Sequence, residues 1–88
     1  MRRALHRRYG HSTFHMAEKR AWVKWMSARD KRDRLRSKGD PRYRRYYELA
    51  DKLQHQLQDM SPYGHSLVWG YEGKRLEKQW VERHPRRK

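Results

Sequence analysis

Arginine and lysine are concentrated in one stretch of this 88-residue chain, where their side chains could bind phosphate groups. Between positions 29 and 45 there are nine basic residues against three aspartates: Arg29, Lys31, Arg32, Arg34, Arg36, Lys38, Arg42, Arg44 and Arg45. Arginine dominates, and its planar guanidinium suits phosphates and guanine edges better than the point charge of lysine does. A solvated charged face is the plainer interpretation, but such faces usually balance their signs and this one does not. The stretch therefore predicts contact with nucleic acid or another polyanion.

The two ends of the chain are also basic. Residues 1–12 form a predicted basic arm that contains no acidic residue, and residues 85–88 form a predicted basic tail. We expect four residues of the arm to add phosphate contacts: Arg2, Arg3, Arg7 and Arg8. The alternative is a charged end that only aids solubility.

The overall charge points to an acidic partner. A formal charge of +14 attracts polyanions at long range, chiefly nucleic acid, although an acidic protein surface would also serve. The chain has no cysteine, so neither a disulfide framework nor a thiolate metal site is expected. No apolar run approaches the roughly 20 residues of a spanning helix, and the N-terminus does not have the pattern of a signal peptide. These features predict a cytoplasmic protein without membrane contact.

Histidines suggest two kinds of enzymatic site, and neither has a supporting pattern. His11 and His15 are four residues apart and could share a helix face as zinc ligands, but the sequence offers no evident third ligand. Together with His65 and His84 they could act as general acids and bases on a phosphodiester, yet no spacing indicates the necessary geometry. We therefore predict no catalytic residue, no metal site and no cofactor.

A helix is predicted over residues 41–60, and it organises the rest of the chain. Its apolar side chains recur at intervals of three and four residues, which places them on one helix face: Tyr43, Tyr46, Ala50, Leu53, Leu57 and Met60. Asp40 is a suitable N-cap, Pro41 suits the first helical position, and Ser61 and Pro62 predict the end. This face needs a partner helix.

The partner is a second predicted helix over residues 13–38. Its weaker apolar row runs from Phe14 to Leu35, Ser12 or Thr13 could cap it, and Gly39 predicts its C-terminal end. Because only residues 38–40 separate the two helices, they must form an antiparallel hairpin with the basic stretch at its tip. Tyr43 and Tyr46 then face the line of contact between the two helices, here called the seam. Tyr47 lies off it and could stack on a base or pack against the C-terminal third, and packing is the favoured interpretation.

The C-terminal third is expected to cover the hairpin. Residues 61–64 read as a turn, residues 66–73 as a short extended or irregular piece, and residues 74–84 as a last short helix. We expect the tryptophans to lie in the core, with Trp69 and Trp80 on Trp22 and Met26. The predicted fold is all-α: a long antiparallel helical hairpin with a third short helix packed by tryptophans, in one domain over residues 13–84.

Two further sequence features are a repeated tetrapeptide and a resemblance at the N-terminus. The tetrapeptide at residues 9–12 recurs at residues 63–66, either by duplication of a turn-plus-helix unit or by chance. The opening RRALHRRYGHST, residues 2–13, resembles the starts of small basic orphan proteins of phages and integrated mobile elements. The resemblance implies a context in which small proteins bind nucleic acid or disable a host machine such as a polymerase, a nuclease or a CRISPR effector.

The sequence therefore predicts a non-enzymatic nucleic-acid-binding protein that contacts phosphates through the hairpin tip and the basic ends. The alternative is an interaction protein that inhibits a host nucleic-acid machine by protein–protein contact at an acidic surface. A structural role in a ribonucleoprotein or capsid is a third interpretation. DNA and RNA fit the pattern equally well, and the pattern does not choose an oligomeric state.

Overall fold

The computed structural model describes residues 15–85, and within them the chain forms four α-helices and no strand. The helices are α1 (Met16–Ser37), α2 (Tyr43–Met60), α3 (Pro62–Trp69) and α4 (Tyr71–Arg83). α1 and α2 pack against each other in antiparallel fashion, so the all-α class and the helical hairpin are confirmed. The predicted arm, the predicted cap at Ser12 or Thr13, Phe14 and residues 86–88 lie outside the described residues.

The turn of the hairpin follows from one glycine and one aspartate. Gly39 has a φ of 70°, and its N–H donates to the carbonyl of Arg36 (3.0 Å) while the N–H of Asp40 donates to the carbonyl of Leu35 (2.9 Å). This pair of bonds is a Schellman motif, which satisfies the last carbonyls of α1 and confirms the predicted end at Gly39. The predicted N-cap Asp40 lies two residues before the actual N-cap of α2, Arg42, and its carboxylate accepts the N–H of Arg42 (2.9 Å). Bonds between residues three apart tighten this first turn, and α2 proper begins at Tyr43 rather than at Pro41.

The core lies along the seam of the hairpin and under the two C-terminal helices. Its largest fully buried side chains are Trp22, Leu57, Leu67 and Leu76, one from each helix. Burying a side chain of this size on folding contributes about 1.5–3 kcal/mol to the free energy of unfolding. Each helix is therefore anchored in the core by at least one such side chain. The predicted seam is confirmed at Ala28, Ala50 and Leu57, which are buried. It is wrong at the end of α2, where Met60 is exposed.

The C-terminal third contains two helices, so the predicted turn and irregular piece are wrong, whereas the predicted last short helix is present as α4. Ser61 is extended, and its hydroxyl accepts the N–H of Gly64 (3.0 Å), while Pro62 occupies the first position of α3. A serine cap followed by proline starts a helix as readily as the same residues end one. Gly70 is extended and separates the two helices, and α4 begins at Tyr71 instead of residue 74.

The two C-terminal tryptophans behave differently. Trp80 packs edge-on against Trp22, with ring centroids 5.8 Å apart, and its indole N–H donates to Asp30 (2.7 Å), so this part of the predicted core is confirmed. The prediction that Trp69 lies in the core is wrong, because 60% of this residue is exposed. On a helix of 3.6 residues per turn, Trp69 points about 160° away from the buried Leu67. The helical conformation of residues 62–69 therefore turns Trp69 outward.

No helix within residues 15–85 combines the length and the apolar character that crossing a membrane would require.

Candidate nucleic-acid interface

The nine basic residues of positions 29–45, here called the arginine-rich tip, gather at one end of the hairpin. They occupy the last turns of α1, the turn around Gly39 and the first turns of α2. Because α1 and α2 are antiparallel, these two sequence segments become neighbours in space. The four arginines predicted in the arm (Arg2, Arg3, Arg7 and Arg8) lie outside the described residues and stay predictions.

Two residues of the arginine-rich tip already have carboxylate partners and ring contacts. Arg29 pairs with Glu77 of α4 (2.8 Å) and its guanidinium lies 5.0 Å from the centroid of the Trp25 ring. Arg32 donates to Asp33 (2.9 Å), and its guanidinium lies 5.9 Å from the centroid of the Tyr47 ring. Both side chains are largely buried, and Arg29 joins α1 to α4. They are therefore the weakest candidates for phosphate contact in the tip.

Arg42 is also engaged, although it is exposed. Its guanidinium donates to both carboxylate oxygens of Asp40, at 2.7 Å for the shortest contact. The hydrogen bonds from the Arg42 side chain and backbone N–H lower the pKa of Asp40 to about 2. The pair thus fixes the first turn of α2, and a phosphate would have to compete with Asp40 for Arg42.

The Asp40 pair predicts an acid-sensitive step in stability. Because the pKa of Asp40 is lowered on folding, its contribution is present above about pH 4, the ordinary range of an aspartate, and is lost as the pH falls through about 2. The midpoint of urea unfolding, followed by circular dichroism, should fall over this interval. Asp40→Asn keeps a capping oxygen without the charge and should show a smaller fall. Equal falls in the parent and in Asp40→Asn would show that the charge of Asp40 is not the source of the acid sensitivity.

The other six basic residues of the tip are exposed, and none of them forms an ion pair with a carboxylate within residues 15–85. They are Lys31, Arg34, Arg36, Lys38, Arg44 and Arg45. Lys31 additionally lies 5.8 Å from the centroid of the Tyr46 ring, which limits its motion. These six residues form a positive patch that the acidic residues of the described chain leave unbalanced.

Charge is much more even elsewhere on the described chain. From Leu49 to Met60, the only basic residue other than His55 is Lys52, and it is accompanied by Asp51 and Asp59. On α4, Arg75 pairs with Glu72. The positive potential of the described residues is therefore strongest at one end of the hairpin.

Two of the four histidines within residues 15–85, His15 and His84, stack on aromatic rings. His15 stacks on Tyr63 with ring centroids 3.9 Å apart, and its Nδ1 lies 3.1 Å from the carboxylate of Glu18, which also accepts the Ser61 hydroxyl (3.1 Å). Burial raises the pKa of Glu18, but the hydrogen bonds from His15, from its own backbone and from Ser61 outweigh it and lower the pKa overall. His84 stacks on Trp80. Within residues 15–85, no three histidine, aspartate or glutamate side chains are placed to hold a metal ion.

A groove beside the arginine-rich tip was not predicted from the sequence. It has a volume of about 400 Å³, takes residues from all four helices, and is here called the aromatic groove. Its principal lining residues are Trp25, Arg32, Tyr47, Val68, Trp69 and Lys74. The groove depends on α3, because that helix brings Trp69 next to the hairpin. The sequence signal that could have revealed it is the serine cap and proline at the start of α3.

Comparisons with protein-family models, with curated proteins and with solved structures found no match to this chain. The described residues define an all-α protein with a cationic hairpin end, and function has to be inferred from that charge and geometry.

Proposed function

We propose that this protein binds nucleic acid without catalysing a reaction on it, and that the arginine-rich tip is the main contact surface. The observation that carries the proposal is the group of six exposed basic side chains without a carboxylate partner among residues 15–85. A polyanion would balance this charge and release its own bound counterions. Phosphate oxygens are the acceptors that match exposed guanidinium groups.

The dimensions of the tip suit a phosphate backbone. Along α1, Lys31 and Lys38 are separated by about 10 Å, because a helix rises about 1.5 Å per residue. Duplex DNA carries one charge per about 1.7 Å of axis, so this surface can meet several phosphates at once. Arg44 and Arg45 add a second row from α2.

The placement of arginine at the start of α2 gives further support. The N-terminal end of a helix has a partial positive charge and favours acidic side chains. α2 has no acidic residue in its first turn and has Arg44 and Arg45 there instead. This arrangement opposes local helix stability, and departures from local rules occur mainly where function requires them.

The salt dependence of binding tests the proposal. The affinity for a fluorescein-labelled DNA duplex, measured by anisotropy, should fall linearly with salt on logarithmic axes, with a slope of about −0.9 for each phosphate neutralised. Several contacts at the tip predict a steep slope. Affinity that does not change with salt would contradict phosphate contact.

The inhibitor alternative predicts a different result, which a pull-down from lysate would reveal. A protein that acts on a host machine by protein–protein contact should recover a partner from a nuclease-treated lysate. If that partner withstands high salt while the purified protein fails to bind DNA or RNA, the inhibitor alternative is right and the proposal is wrong.

A further inference from the structure

Trp69 is held in a fixed orientation although most of it is exposed. Its indole N–H donates to the side-chain oxygen of Gln58 on α2 (3.0 Å), and 60% of the residue is accessible to solvent. The other three tryptophans of the chain are buried. A large aromatic ring with its polar edge bonded and much of its surface in water is already ordered for a flat apolar ligand.

A second exposed aromatic ring lines the same groove. Tyr47 of α2 is 55% exposed and shares the aromatic groove with Trp69. The guanidinium of Arg32 lies 5.9 Å from the centroid of the Tyr47 ring, which restrains the ring from one side. From the sequence, packing of Tyr47 against the C-terminal third is favoured over stacking on a base, whereas its 55% exposure favours stacking.

The groove and the tip differ in their charge balance. Among the charged residues that line the groove, Arg29 is paired with Glu77, and Lys74 and Asp51 have opposite charges. Arg32 also lines the groove and is paired with Asp33 just outside it. The tip shares Arg29 and Arg32 with the groove, and its members Arg34, Arg44 and Arg45 have no ion pair within residues 15–85. A near-neutral aromatic groove beside a positive patch matches a ligand that has flat uncharged groups attached to a charged backbone.

We propose that the aromatic groove binds the unpaired bases of single-stranded nucleic acid, which stack on Trp69 and Tyr47 while the adjoining phosphates contact the arginine-rich tip. This inference rests on the proposed function and adds the class of nucleic acid to it. Bases of a duplex are stacked on each other and paired, whereas those of a single strand can turn onto aromatic side chains. Stacking of this kind tolerates every base, so the groove confers a preference for single strands rather than for a sequence.

Substitution of Trp69 tests the inference. The probes are a labelled oligothymidylate of about 16 nucleotides, the upper end of site sizes for small single-strand-binding modules, and a labelled duplex of the same length. Trp69→Leu should weaken binding to oligothymidylate by on the order of tenfold, because the base loses an aromatic surface, and should leave duplex binding unchanged. Trp69→Phe keeps a ring and should retain most of the affinity.

Tyr71 provides a matched control. It is an aromatic residue of α4 that is 81% exposed and does not line the aromatic groove, so Tyr71→Leu should leave binding to both probes unchanged. In the parent protein, oligothymidylate should also protect Trp69 from quenching by acrylamide, since the buried Trp22, Trp25 and Trp80 are already shielded. Circular dichroism establishes that each variant is folded.

The possible outcomes separate this inference from the proposed function. If the parent binds both probes with a steep salt dependence and Trp69→Leu binds them as the parent does, or weakens both equally, the groove does not receive bases and only this inference is overturned. If the parent binds neither probe, the proposed function fails, and this inference fails with it. Capture of a protein partner that Trp69→Leu loses while oligothymidylate binding is unaffected would also overturn it.

Discussion

We expect the variant with glutamine at all three of Arg34, Arg44 and Arg45 to bind duplex DNA on the order of a hundredfold more weakly than the parent at about 0.1 M salt. These three side chains are exposed and have no ion pair within residues 15–85, so their loss removes phosphate contacts without breaking a described salt bridge. The logarithmic salt slope should become shallower by about 0.9 for each contact removed. Anisotropy titrations at several salt concentrations measure both quantities.

A second triple variant controls for net charge. Lys52, Lys78 and Arg83 are exposed basic residues outside the arginine-rich tip, and their replacement by glutamine removes the same three charges. This variant should retain most of the affinity and of the salt slope, because long-range attraction alone is screened within about 10 Å at 0.1 M salt. Equal losses in the two triple variants would show that total charge, and not the tip, determines binding. Unrelated DNA sequences should lose affinity alike, since phosphate contacts carry no base information.

Gly73→Ala should lower the free energy of unfolding by about 3 kcal/mol, the upper end of the usual cost of overpacking. A Cβ at this position of α4 would overlap the backbone carbonyl oxygen of Leu67 in α3. The two helices would have to separate, and the buried Leu67 and Leu76 would lose contacts. Alanine within a helix normally stabilises by up to about 1 kcal/mol relative to glycine, so the expected sign is opposite to that of helix propensity. Urea or thermal unfolding measures the change.

Gly39→Ala provides the comparison. A Cβ at Gly39 has no neighbouring atom within 4 Å, and the penalty comes only from its positive φ of 70°. That penalty is about 1–2 kcal/mol, smaller than the cost at Gly73. If Gly73→Ala were neutral or stabilising, α3 and α4 would not pack as closely as the structure has them.

The hairpin was predictable because several independent signals agreed on it. The spacing of apolar residues from Tyr43 to Leu57 gave the face of α2, Gly39 gave the end of α1, and the short connection required an antiparallel return. α3 was not predictable with the same rules. Ser61 and Pro62 fit both the end of one helix and the start of the next, and the eight residues of α3 are too few for a clear apolar period.

The candidate site was predictable in charge but not in pairing. The count of arginines between positions 29 and 45 is a property of the sequence, whereas the pairing of Arg29 with Glu77 joins residues far apart in the chain. The exposure of Trp69 depends on the helical phase of α3, so it could not be recognised before that helix was. Composition thus predicted an anionic ligand. Only the structure separates the basic residues that have a carboxylate partner from those that do not.

The distribution of burial along the hairpin has a consequence for the local stability of the tip. No residue from 36 to 49 is buried, whereas Trp22, Leu57, Leu67 and Leu76 are fully buried elsewhere in the described chain. Segments with few buried contacts open locally at a small fraction of the global unfolding free energy. The turn around Gly39 and the first turn of α2 can therefore open more readily than the core, whereas the buried Leu35 anchors the last turn of α1. Under the proposed function, such local opening would let the arginines follow an irregular phosphate backbone, at the cost of some ordering entropy on binding.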